Sequence, residues 1–259
     1  LGIEEPSLEW CLRPENQHAF CEDFDHDDPF GAWEIKPTPP EGAARAVAVS
    51  DDSPPNLLDT SVQAITDGGA SITGLETPFS DREFDRVVVS LDVRIVTFGY
   101  LVTEGMGGSG IGFLLVEDAY GEQDNLCVGL ALTGGSTNAN ANLAIVVRPS
   151  ARECFTVDRL TAADDAGGAD GGTPPFLLGE ILVGGWNHIV LDVRRDPSGD
   201  GSGTIQPTVR GFGTLGAVPI PAGSLGPGYP QLGIATSVSG PVGNVEIQFD
   251  NVTVDFPPN

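Results

Sequence analysis

Hydrophobic and polar residues alternate along this chain over stretches too long for a helix. The longest is Arg86-Val-Val-Val-Ser-Leu-Asp-Val-Arg-Ile-Val-Thr-Phe98, with Val87, Val89, Leu91, Val93 and Ile95 against Ser90, Asp92 and Arg94. Side chains of a strand point alternately to its two faces, so this period of two predicts a strand with one buried and one solvated face. Antiparallel sheets carry that pattern. The C-terminal stretch is more informative. Val245, Ile247 and Phe249 share one parity, whereas Val252, Val254 and Phe256 share the other. The flip falls at Asp250-Asn251. It predicts a β-bulge that keeps both halves of a long last strand on one core. Such a strand needs a partner, and Phe20-Cys-Glu-Asp-Phe-Asp25 is the first candidate.

Further strands are predicted over 17–25, 44–50, 57–65, 111–116, 125–132, 142–147, 153–157, 176–183, 186–193, 204–209 and 231–237. Between them lie turn clusters such as Asp51-Asp-Ser-Pro-Pro55, Gly105-Met-Gly-Gly-Ser-Gly110 and the hairpin tip Asp196–Gly203. Residues 161–175 hold only small, acidic and Pro residues and predict an exposed loop, as does the Pro/Gly segment 219–230. No amphipathic helix and no fixed-period repeat is visible. The expectation is an all-β chain with negligible helix. Residues 1–16 form an irregular arm, interrupted by Pro6 and Pro14, and 17–259 form a single two-sheet antiparallel β-sandwich domain.

Composition sharpens this in two ways. With 35 Gly, 21 Pro and one Met, the chain is rich in turn formers and poor in long helix formers. Twelve basic residues face 37 acidic ones, a formal net charge of -25. That excludes the basic patches needed for nucleic acid or anionic membrane, and it leaves divalent cations as partners. No apolar run is long enough to span a membrane. The chain opens Leu1-Gly-Ile-Glu-Glu-Pro, as a mature secreted protein without its leader, or a trimmed chain, would. Four cysteines in a Lys-poor, Gly/Pro-rich chain point to two disulfides in an oxidising compartment. Local pairings, Cys11–Cys21 and Cys127–Cys154, are preferred among the three connectivities, with four buried thiols as the alternative.

Three segments together resemble the concanavalin A-like lectin/glucanase superfamily, including laminin-G-like jelly rolls. They are Phe20-Cys-Glu-Asp-Phe-Asp25 followed by Trp33, Gly185-Trp-Asn-His-Ile-Val-Leu-Asp-Val193 running into an Asp/Gly hairpin, and Ile247-Gln-Phe-Asp-Asn-Val-Thr-Val254. The resemblance covers the two ends and the late middle of the chain. It implies a two-sheet jelly roll closed by pairing of the first and last strands, a face that binds glycans, and a structural calcium near that strand pair.

Candidate chemistry is sparse. The Glu-x-Asp-x-x-Glu motif of retaining glucanases on this fold, which sets two carboxylates across a sugar, is absent. There is no Gly-x-Ser-x-Gly elbow or phosphate loop. His188 reads as a structural histidine, and Asp92 with Arg94 as a surface ion pair. Asp23, Asp25 and Asp27 with Glu34 match positions 1, 3, 5 and 12 of a calcium loop. Asp28, however, stands where that loop needs Gly, and no helices flank it. A site built from some of Asp23, Asp25, Asp27 and Asp28, completed by Asp250 at the bulge, would suit Ca2+ as a structural cofactor. A solvated acidic turn is the alternative. For glycan contact, Tyr120 and Tyr229 are candidate stacking residues in loops, with Asn138 and Asn140 as polar partners. Trp33 and Trp186 are assigned to the core.

These readings converge on a secreted or cell-surface jelly roll without catalytic activity, acting as a carbohydrate-binding module for a glycan or surface polysaccharide. A structural or adhesive protein that self-associates, and a divergent glycan hydrolase or lyase, are the alternatives.

Overall fold

The computed structural model describes residues 10–25, 27–35, 42–48, 56–63, 70–79, 84–98, 108–118, 126–134, 140–148, 176–223, 225, 228–239 and 244–258. Two short 3₁₀ turns, Trp10–Leu12 and Pro14–Asn16, precede the strands. In chain order the strands are β1 (Phe20–Glu22), β2 (Glu34–Ile35), β3 (Gly42–Ala48), β4 (Asn56–Val62), β5 (Ala70–Pro78), β6 (Arg86–Phe98), β7 (Gly108–Asp118) and β8 (Leu126–Gly134). They continue as β9 (Asn140–Arg148), β10 (Phe176–Leu182), β11 (Trp186–Arg195), β12 (Gly203–Val209), β13 (Gly213–Thr214), β14 (Val218–Ile220), β15 (Gly228–Ser239) and β16 (Val245–Asp255).

Among the described residues they form two antiparallel sheets. One runs β13-β12-β11-β6-β16-β4-β3, with β1 added to β16 and β14 to β12; the other runs β10-β9-β8-β7-β15-β5-β2. This is the expected all-β sandwich, a jelly roll. Alternation decides its interior. Val87, Val89, Leu91, Val93 and Ile95 of β6 and Ile189, Leu191 and Val193 of β11 are buried from one sheet. Leu75, Leu143, Ile181, Leu232 and Ile234 meet them from the other. Each such side chain contributes about 1.5–3 kcal/mol by leaving water. Two buried hydroxyls bridge the sheets. Thr60 of β4 donates to the Ile247 carbonyl at 2.9 Å, and its oxygen lies 2.6 Å from the Thr236 hydroxyl of β15. Both are fully buried, so this pairing meets the demand for hydrogen bonding inside a dry core.

The last strand behaves as its pattern predicts. Val245, Ile247, Phe249, Val252 and Val254 all enter the core, and the ladder with β6 shifts register between Asp250 and Thr253. Asn251 takes up the extra residue at φ 48°, in the left-handed region that Asn tolerates better than most residues. The first strand pairs with it, Phe20 opposite Val254 and Glu22 opposite Val252. The Cys11–Cys21 disulfide forms, tying the turn at Trp10–Leu12 to β1. Cys127 lies in β8 opposite Arg148 of β9. Cys154 falls outside the described residues, and with it the second expected disulfide.

Three expectations differ. Strand β5 was not apparent in the sequence, because Ile72 and Leu75 have opposite parity and Gly74 and Pro78 weaken the signal. Its backbone is held instead by β15 on one side and β2 on the other. The segment 219–230, read as a loop, contains β14 and the start of β15. Pro219 fits because β14 adds only to β12, at the periphery where a missing N–H costs little. The predicted turn at 105–110 is partly strand, since β7 begins at Gly108. The predicted strand at 153–157 and the loop at 161–175 fall outside the described residues.

Candidate functional site

The acidic stretch after β1 has buried carboxylates, and backbone amides use them. Glu22, 2% exposed, accepts from the Phe24 amide at 2.8 Å and from Trp33 Nε1 at 3.1 Å. That double contact bends the chain through Phe24, which sits at φ 59°, and seats Trp33 in the core as expected. Asp23, equally buried, accepts from the Cys11 amide at 2.7 Å and the Asp25 amide at 3.2 Å. Asp25 accepts from the Asn56 amide at 2.8 Å. Asp250 accepts from the Asn251 amide at 2.8 Å. Asp27 and Asp28 are exposed. The bulge and the acidic turn therefore lie where the sequence reading put them. Among the described residues, though, no three His, Cys, Asp or Glu side chains come together as metal ligands would, Asp23, Asp25, Asp27, Asp28 and Asp250 included. Glu22, Asp23, Asp25 and Asp250 each accept from a backbone amide of the bent chain.

The solvent face of the nine-stranded sheet carries a polar network between β6, β11 and β16. His188 Nδ1 donates to Asp92 at 2.8 Å, because a carboxylate can only accept, and Nε2 stands 3.3 Å from the Ser90 hydroxyl. Asn251, at the bulge, donates from Nδ2 to the other Asp92 oxygen at 2.9 Å. Asp92 thus pairs with His188 and Asn251 rather than forming the pair with Arg94 read from sequence. Arg94 follows Asp92 on the same face, one register row away; His188 stands directly opposite Asp92 across the ladder. The hydrogen bond to Asp92 holds the His188 pKa above its ordinary value, against partial burial and the positive charge of Arg210.

Further along, Asp192 accepts from Arg86 at 2.8 Å and from Arg194 at 2.6 Å. Burial alone would raise its pKa, but the two guanidinium groups bring it down to about 2. In the other direction Trp186, Arg94, Gln248 and Asp59 stand in one row across β11, β6, β16 and β4. Trp186, assigned to the core by sequence, belongs to this outer row. It shares parity with His188, whereas Ile189, Leu191 and Val193 point inward. Its indole Nε1 and the Gln248 Oε1 are buried and make no hydrogen bond among the described residues.

The seven-stranded sheet holds the remaining candidates. Tyr229 is not in a loop; it lies in β15 opposite Glu117 of β7. Two residues on, Gln231 stands opposite Leu115 and Pro78, and the same row continues through Cys127 to Arg148. Gln231 is on the parity opposite to buried Leu232 and Ile234, and its Oε1 is buried without a hydrogen bond among the described residues. Asn140 begins β9 opposite Leu182 of β10. Tyr120 and Asn138 fall outside the described residues. Gln231 leaves no mark in the sequence, because a lone Gln in a strand has no spacing signature.

No protein-family profile matches the chain, and no curated protein sequence matches it. Solved structures do. An endo-β-1,4-glucuronan lyase from the fungus Trichoderma reesei aligns with 93% of this chain and 96% of its own, at TM-score 0.57 and 12% identity. A marine PL-14 alginate lyase from Aplysia kurodai aligns with 93% of this chain and 100% of its own, at TM-score 0.56 and 15% identity. The CBM2 module of an evolved Dit protein of Lactobacillus casei phage J-1 aligns with 92% of this chain and 95% of its own, at TM-score 0.52 and 9% identity. The shared property is the fold. These neighbours overturn the expectation of a non-catalytic protein as a deduction from sequence. That deduction rested on a missing pair of hydrolase acids, and polysaccharide lyases stand on the same fold.

Proposed function

We propose that this protein is a secreted polysaccharide lyase of the jelly-roll, concanavalin A-like type, cleaving an acidic polysaccharide by β-elimination. The observation that carries the reading is the end-to-end alignment with two lyases, which takes in nearly the whole of each chain. An oxidising exterior agrees with the Cys11–Cys21 disulfide.

Elimination at a uronate removes the proton on the carbon beside the carboxylate. The electron pair forms a double bond to the neighbouring carbon, the glycosidic C–O bond breaks, and the leaving oxygen takes up a proton. The protein must donate hydrogen bonds to the carboxylate, so that the carbanion-like charge is stabilised, and supply a base and an acid. No pair of carboxylic acids is needed. On the seven-stranded sheet, Gln231 of β15 has an amide that can donate to the carboxylate. Tyr229, two residues from Gln231 in the same strand, is assigned the proton transfers.

The test is incubation with alginate, polyglucuronate and pectate, following the ultraviolet absorbance of the unsaturated uronate end. Turnover on at least one is expected, with Tyr229→Phe lowering it by about 100-fold or more while binding is kept. Binding without any unsaturated product would overturn the reading and leave a carbohydrate-binding module.

A further inference from the structure

Ser90 and Asp92 are two residues apart in β6 and so emerge on the same face of the sheet. Register sets His188 of β11 opposite Asp92, and Val190 opposite Ser90. Three groups thereby come within hydrogen-bond reach in a chain. His188 Nδ1 is 2.8 Å from Asp92 Oδ1, and its Nε2 is 3.3 Å from Ser90 Oγ. Because the carboxylate only accepts, the neutral imidazole carries its proton on Nδ1. Nε2 then has a lone pair, and the Ser90 hydroxyl donates to it. Asn251 donates to the second Asp92 oxygen at 2.9 Å, which fixes the carboxylate and, through it, the ring. A nucleophile, a base and a group that orients the base make up the constellation of serine acyl transfer. It is recognised by geometry rather than sequence position, and it recurs on unrelated folds.

Solvent reaches these groups. The side chain of His188 is 42% exposed and that of Asp92 27%, and Ser90 is half-buried. Val190, also half-buried, lies between Ser90 of β6 and Thr208 of β12 and gives a small apolar floor beside the hydroxyl. Arg210 stands on the other side of His188. Its amide donates to the His188 carbonyl at 2.9 Å, its side chain is exposed, and its positive charge acts on the imidazole.

We propose that Ser90, His188 and Asp92 form a hydrolytic site for esters of short acyl groups, acetyl above all. The Ser90 oxygen attacks the acyl carbon as its proton passes to His188 Nε2. Arg210 donates to the carbonyl oxygen as that oxygen becomes negative. The ester C–O bond breaks, and Nε2 gives the proton to the leaving alcohol oxygen. Water then attacks the acyl-serine, losing a proton to Nε2, and the carboxylic acid leaves as Ser90 regains its proton. Ser90 and His188 are the catalytic residues; Asp92 and Asn251 are positioning residues. The site shares no residue with the lyase chemistry proposed above and does not rest on it.

The experiment follows p-nitrophenolate release from p-nitrophenyl acetate by the whole chain, together with fluorophosphonate labelling read by peptide mass spectrometry. Turnover and a label on Ser90 are expected. Ser90→Ala and His188→Gln should each lower turnover by about 100-fold or more, with melting temperature followed in parallel. The octanoate ester should be the poorer substrate, since Val190 offers floor for a short chain only. His188 is faced by Ser90 and Asp92 of β6, by Asn251 of β16 and by Arg210, with Asp250 of β16 opposite Asp92 in the ladder. As a base it must be neutral, so the rate should rise with pH through a midpoint that Asp92 holds above the ordinary histidine value. Asp92→Asn should lower the rate and move that midpoint down, which loss of a merely structural contact would not do. Turnover retained in Ser90→Ala would overturn the site. So would a wild-type Ser90 that takes no label, or a rate that does not change between about pH 5 and 8.

Discussion

His188 shows how one neighbour sets the behaviour of a residue. Its Nδ1 proton is held by Asp92, and that carboxylate is itself anchored by Asn251. The sign of the linkage follows. A histidine whose folded pKa is raised adds stability that is fully present below about pH 6.5 and is lost as pH rises through the folded value. Asp192 works the opposite way. Its stability is present above the ordinary Asp value of 3.8 and disappears as pH falls toward about 2. Substituting Asp92→Asn should bring the His188 pKa, followed by NMR, down to or below its ordinary value. An unchanged titration would mean that the Asp92 contact does not set it. The sequence offered His188 as a structural histidine and Asp92 as the partner of Arg94. Ladder register made them a pair, and register between distant strands leaves no mark in either strand alone.

At the scale of elements, the terminal strand joins what lies far apart in the chain. Strand β16 pairs with β1, β4 and β6 and so connects both ends of the protein to its longest strand. The bulge at Asp250–Asn251 is what lets one strand serve both halves of the core. Asn251→Val should be destabilising by about 1–2 kcal/mol or more, because a β-branched residue resists a left-handed backbone. Asn251→Gly should cost less, losing only the side-chain bond to Asp92. Urea unfolding of the two variants measures the difference, and equal losses would place the effect in the hydrogen bond rather than the backbone. This bulge was legible in the sequence since a change of parity is local. Strand β5 was not, because partners in space rather than alternation hold it.

For the whole molecule, 37 acidic against 12 basic residues make self-repulsion a term in stability. Adding salt from low ionic strength to about 0.15 M, where the Debye length is about 8 Å, should raise the melting temperature. A fall over that range would show that the local pairs, such as Arg86 with Asp192, outweigh the long-range repulsion.

Alternation along the chain was enough to determine an all-β chain, the inward aliphatic residues of its regular strands and the bulge in the last of them, whereas the pairing of that strand with the first was implied by the family resemblance. Those properties follow from a period of two, which each strand carries within itself. The tertiary structure decided what stands beside what: Asp92 with His188, Trp186 on the outer face, Tyr229 and Gln231 in one strand, and the acidic turn as backbone caps. A hydrolase announces itself by acids at fixed spacing, whereas an elimination draws single residues from separate strands. Only the register of a folded sheet brings those residues onto one surface.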